Sequence, residues 1–166
     1  MRPHKLTLEG FTSFRDKVEL DFSGLDLFAI TGPTGAGKSS LIDAICFALY
    51  GQVPRVGDDY KQLISHGAER LSVQLDFGVG KERYRVVRTA RPDKPSQQRL
   101  ERITGDAAEP IADRVKEIRT EVDRILGGLR CNLSRHTSSI APRTRTRTRS
   151  PRPARPAVTQ RARRRS

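Results

Sequence analysis

Tryptophan is absent from this 166-residue chain, methionine occurs once and cysteine twice. Two cysteines, Cys46 and Cys131, leave no room for a disulfide framework and show no metal-ligand spacing. Cys46, set among Ile45, Phe47 and Ala48, reads as a small buried thiol. No apolar run is long enough for a membrane span, and no signal-peptide pattern opens the chain, so a cytoplasmic location is expected. Acidic residues are missing from one region only. Residues 130–166 hold twelve arginines and no acid, whereas residues 1–129 hold 20 basic and 19 acidic side chains. The net charge of +13 therefore describes the tail and misdescribes the body.

What the chain does have is Gly32-Pro33-Thr34-Gly35-Ala36-Gly37-Lys38-Ser39-Ser40, which satisfies G-x-x-x-x-G-K-[ST], the loop that holds nucleoside-triphosphate phosphates. Its flanks suit the motif. Leu27-Phe28-Ala29-Ile30 reads as a short buried strand, and Ser39 to Tyr50 as a helix with Leu41, Ile42, Ile45, Ala48 and Leu49 on one face. A triphosphate needs many donors at close range, and successive backbone N–H groups in a glycine-rich turn form such an anion nest. The helix adds the partial positive charge of its amino end. Lys38 is expected to reach the β- and γ-phosphates, and the Ser39 hydroxyl to ligate Mg²⁺. The bland alternative is a glycine turn before an ordinary helix. Asp43, one turn beyond Ser39, reads as surface or supporting charge more readily than as the group that orients a water. His4, His66 and His136 stand isolated and suggest no catalytic set.

Two alternations precede the loop, Leu6 and Leu8 within 4–11 and then Val18, Leu20 and Phe22. They predict an antiparallel pair beside the nucleotide-binding strand. Residues 52–70 read as a loop with one short helical turn near 59–65. Leu71–Phe77 and Arg83–Thr89 predict a hairpin through 78–82; Pro92 to Ser96 breaks the chain, and Gln98–Ile103 makes a third strand. Arg83, Arg85, Arg88, Arg91, Arg99 and Arg102 either face nucleic acid or belong to a solvated mixed-charge face with Asp76, Glu82, Asp93 and Glu101. Ile111–Leu126 predicts an amphipathic helix closed by Gly127-Gly128. Beyond it, arginine, proline, alanine, serine and threonine dominate and predict disorder.

Leu6-Thr-Leu-Glu-Gly-Phe-Thr-Ser-Phe14, Leu20-Asp-Phe22 and the run from Leu27 through the loop to Gly51 resemble the amino-terminal lobe of SbcC. SbcC is the ATPase subunit of the bacterial SbcCD nuclease and a relative of the structural-maintenance-of-chromosomes (SMC) proteins. Pro54-Arg55 and the hairpin at 71–89 fit as well. The resemblance implies an α/β P-loop NTPase of the ABC/SMC type, an incomplete amino-terminal lobe with a mixed sheet over 1–127, and a disordered basic tail over 128–166. It implies ATP and Mg²⁺ as cofactors, an SbcD-type nuclease and double-stranded DNA as partners, and dimerisation through the heads in full-length relatives. In that family a carboxy-terminal lobe supplies the Walker B acids, the signature motif and a switch histidine. This chain has no Leu-Ser-Gly-Gly, no apolar strand ending in Asp-Glu, no Cys-x-x-Cys hook and no heptads, and Thr12 stands where many relatives carry a basic residue. The change of composition after about residue 127 suggests truncation or a shifted reading frame. Two functions are weighed: an ATP-binding lobe inactive alone, or a short ATP-binding protein whose basic tail binds nucleic acid without sequence preference.

Overall fold

The computed structural model describes residues 1–25, 28–57 and 59–127. The expectations for Leu27, Cys131, His136 and the basic tail lie outside the described residues.

Among the described residues six strands form one sheet in the order β2-β1-β3-β4-β5-β6, antiparallel throughout. They are β1 (Arg2–Glu9), β2 (Val18–Asp21), β3 (Leu71–Val79), β4 (Glu82–Arg91), β5 (Lys94–Thr104) and β6 (Ala107–Ala112). The register puts Leu6 beside Leu20 and Leu75, and Leu8 beside Val18 and Val73, so alternate positions of neighbouring strands share the inner face. Helices α1 (Lys38–Tyr50) and α2 (Val115–Ile125) cover that face, and a 3₁₀ turn at Tyr60–Leu63 closes one end. Leu6, Leu8, Leu75 and Phe77 are fully enclosed there. Each such side chain contributes about 2 kcal/mol of burial.

The antiparallel pair ahead of the loop and the hairpin of β3 and β4 stand where the alternation puts them. The sheet expected to be mixed is antiparallel at every described pairing, since two-residue turns join β3 to β6 in succession and are too short for a parallel crossover. Other expectations change as well. Pro92 and Asp93 alone form the β4–β5 turn, and Pro95 and Ser96 already belong to β5. Ile111 belongs to strand β6 rather than starting a helix, and α2 begins only at Val115. The two-residue connection Gly105-Asp106 folds β6 back along β5, and Pro110 is tolerated because β6 is an edge strand. Phe28, Ala29 and Ile30 have no strand pairing, and Phe28 and Ile30 are exposed. A central strand needs a hydrogen-bonding neighbour, and no described residue supplies one there. Phe28 instead stacks on Phe22, with ring centroids 4.7 Å apart.

Helix α1 is also turned from the expected face. Ala44, Cys46, Phe47, Ala48 and Leu49 are buried, Leu41 and Ile45 partly so, and Ile42 is exposed. The run is apolar almost all round, so periodicity could not choose its phase. The small Ala44 and Ala48 set the helix close to the sheet. Gly51 adopts φ 71° and its N–H bonds the Phe47 carbonyl, ending the helix where the sequence expects.

Candidate nucleotide site

The loop from Gly32 to Gly37 leads directly into α1. Gly32, Gly35 and Gly37 hold φ of 150°, 88° and 84°. The Ala36 N–H bonds the Pro33 carbonyl at 3.2 Å, which curls the loop before the helix begins. No side chain caps the amino end of α1, and its first turn contains no acid. Its leading N–H groups are thus left for an outside acceptor. Pro33, Thr34, Gly35, Ala36 and Ser39 are exposed around this end.

Lys38 folds back across the loop. Its Nζ donates to the carbonyl of Gly32 at 2.8 Å and to that of Pro33 at 2.7 Å. These acceptors hold the ammonium over the curl, where an anion in the nest would meet it. Ser40 differs from its neighbour: it is buried, with its hydroxyl 3.4 Å from that of Ser13. The structure therefore sets Ser39 at the open side and Ser40 at the packed side. Open space around Gly35, an uncapped helix end and a tethered cation together fit a phosphate group.

A turn near the amino terminus buttresses the loop. Phe11 is fully buried, 5.8 Å from Phe47 by ring centroids, and Phe14 lies against Gly37. Thr12 between them has φ 47°, uncommon for a β-branched residue, and its Oγ1 is buried without a hydrogen-bond partner. The backbone at Thr12 is nonetheless fixed from both sides. Its N–H bonds the Leu63 carbonyl and its carbonyl accepts from the Ser65 hydroxyl, each at 2.8 Å.

A family model described as an AAA domain matches residues 5–144. The chain belongs to the AAA domain family. Its relatives include SbcC subunits of nuclease SbcCD. It is 45% identical over 129 residues to the SbcC subunit of nuclease SbcCD from Deinococcus radiodurans, covering 71% of this chain and 14% of that protein. It is 49% identical over 90 residues to a probable DNA double-strand break repair Rad50 ATPase of Aquifex aeolicus, covering 53% and 9%. With the SbcC subunit of nuclease SbcCD from Bacillus subtilis it shares 36% over 138 residues, covering 76% and 12%. The chain thus spans at most 14% of the length of these relatives. Among solved structures it is similar to the SMC head domain from Thermotoga maritima, with a TM-score of 0.52 and 28% identity over 73% of this chain and 42% of that one. An SMC ATPase solved in a study of ATP-driven dimerization and DNA-stimulated activation gives 0.58 at 23% identity, over 86% and 93%, and supports the fold alone. The architecture is similar to that of an SMC head domain.

Elsewhere in this AAA domain several charged residues form ion pairs. Asp43 pairs with Arg55, Nη2 lying 2.6 Å from Oδ2 on a line poorly aligned for a hydrogen bond. Burial raises the Asp43 pKa, and Arg55 opposes that rise. Arg85 grips Asp76 through two contacts of 2.8 Å, Arg99 meets Glu101 and Arg102 meets Glu82. Of the two sequence readings of the strand arginines, the mixed-charge face is the one these pairs favour. Arg88 is the exception to both. It points inward, is 3% exposed and donates to the last carbonyls of α1, Ala48 and Leu49. Its position among Tyr84, Val86 and Ala90 at alternate places in β4 was the signal for an inward side chain. Among the described residues no cluster of metal-ligating side chains occurs, and no helix is long and apolar enough to cross a membrane.

Proposed function

We propose that this chain is the ATP-binding amino-terminal lobe of an SbcC-like DNA-repair ATPase. In its complete form the ATPase would act with an SbcD-type nuclease on double-stranded DNA in the cytoplasm. The observation that carries the reading is Lys38 held over a glycine loop at the uncapped amino end of α1. The names of the relatives, an SbcCD nuclease subunit and a double-strand break repair ATPase, support the wider role.

The nest works by exchange of partners. N–H groups of the loop and the first turn of α1 would donate to phosphate oxygens, aided by the helix dipole. Lys38 would give up the Gly32 and Pro33 carbonyls for the β- and γ-phosphates. Ser39, on the open side, is the residue that would hold Mg²⁺, which supplies charge neutralisation to a bound triphosphate. Ser40 supports the cradle from behind, through Ser13.

Hydrolysis also requires a group that orients the attacking water. Asp43 is committed to Arg55, and the first turn of α1 holds no acid. The lobe accordingly binds nucleotide without turning it over. Phosphate release by the purified full chain with saturating Mg-ATP should stay at background. Robust hydrolysis with no added partner contradicts the proposal.

A further inference from the structure

Between Tyr84 and Ala90 the inner face of β4 carries one charged side chain, Arg88. Val73 and Gln98 flank Arg88 in register, and Val86 and Ala90 precede and follow it on the same face. Among the described residues the guanidinium has no carboxylate partner; burial lowers its pKa, to about 10, so it remains a cation at neutral pH. Its Nε donates to the Ala48 carbonyl at 2.7 Å and its Nη2 to the Leu49 carbonyl at 3.2 Å. Nη1 lies 3.0 Å from where a Cβ on Gly51 would stand.

Burying a cation costs free energy, and an apolar side chain of similar volume would fill the space with less penalty. The compensation here is specific. Carbonyls at the end of a helix lack intrahelical donors and carry the negative end of its dipole. The planar guanidinium meets two successive carbonyls at once, which fixes both the rotation and the lengthwise setting of α1 against β4. A lysine would hold one point and leave rotation free.

The other end of α1 is the phosphate loop. A 13-residue helix is roughly 20 Å long, so a tilt of about 3° at the Arg88 end moves the Lys38 end by about 1 Å. A displacement of that size is enough to spoil a preorganised site. We propose that Arg88 is a positioning residue for nucleotide binding: from β4 it grips the rear of α1 and so sets where the phosphate nest stands. This deepens the nucleotide-binding proposal above and rests on it.

The test compares the full chain with Arg88→Met, Arg88→Lys and a control weakened elsewhere in the core. The control is Ile118→Val or Ile118→Ala, whichever matches the melting temperature of Arg88→Met. Mg-ATP affinity is measured where all are folded, together with hydrogen exchange of the amides at 38–41 in the absence of nucleotide. Arg88→Met should bind about ten-fold more weakly than the parent, Arg88→Lys should fall between, and the matched Ile118 variant should stay within about two-fold. Equal binding by the parent and Arg88→Lys, or equal losses in Arg88→Met and the control, overturns the inference. Should Arg88→Met not fold, Arg88→Lys carries the test. Should the parent itself not bind Mg-ATP, the nucleotide reading fails, and exchange decides the positioning claim separately. Faster exchange at 38–41 in the folded Arg88 variant than in the control then supports it, and equal exchange overturns it.

Discussion

The Phe14 ring lies 3.0 Å from the place a Cβ on Gly37 would occupy. The backbone there is left-handed as well, with φ 84°. Two independent demands therefore exclude a side chain at the start of α1. Gly37→Ala should cost about 1–3 kcal/mol of stability from backbone strain alone. Nucleotide affinity should fall further than stability predicts, since the Phe14 ring must move away from the loop. Thermal unfolding and Mg-ATP titration of the same variant check both parts.

Charges on the outer face of the sheet neutralise one another along a line. Glu19 meets Lys5, Lys5 stands beside Asp76, Asp76 holds Arg85, Arg85 stands beside Glu101, and Glu101 meets Arg99. Such a face offers little free positive charge to a polyanion. The twelve arginines of residues 130–166 do. Deleting residues 130–166 should leave Mg-ATP binding unchanged and remove most DNA retention at low salt. Gel-shift and nucleotide titrations of the truncated chain measure this, and undiminished DNA retention would contradict it.

How much was legible differs between strands and helices. The alternation of Leu6 and Leu8, and of Leu71, Val73, Leu75 and Phe77, announces its inner face because polar residues separate the apolar ones. Helix α1 has no such contrast between Leu41 and Leu49, so its phase had to come from packing. β6 was hidden by Ala107, Ala108 and Pro110, which are poor strand formers; the pairing with β5 through Gly105-Asp106 outweighs their preferences. The strand expected at 27–30 depends on neighbours that a local pattern cannot show. At the site, the motif located Lys38 and the loop, but the grips of Phe14 and Arg88 come from residues far away in sequence.

Glu19 sits between Lys5 and Lys17, at 2.8 and 2.7 Å. Hydrogen bonds from Lys17 and Lys5, then their charges, lower its pKa from 4.5 to about 2. A carboxylate whose folded pKa is depressed contributes stability that is complete above the unfolded value. That contribution is lost as pH falls from 4.5 through about 2. The pair is exposed, so salt should weaken it. The carboxyl chemical shift of Glu19 should titrate near 2 in dilute buffer and move back toward 4.5 in high salt. A midpoint near 4.5 in dilute buffer would show that the two lysines do not hold it.

The central claim is that the glycine loop, with Lys38 tethered across it, binds the phosphates of ATP. Its most direct measurement is Mg-ATP titration of the full chain beside Lys38→Ala. The nest is local to one loop and one helix end, so binding should be present in the parent. It should be on the order of ten to a thousand times weaker than in a complete head, because only the ordered fraction is competent. Lys38→Ala removes the cation held by the Gly32 and Pro33 carbonyls and should abolish the remaining binding without altering DNA retention. If Lys38→Ala binds Mg-ATP as tightly as the parent, the account of this site is wrong.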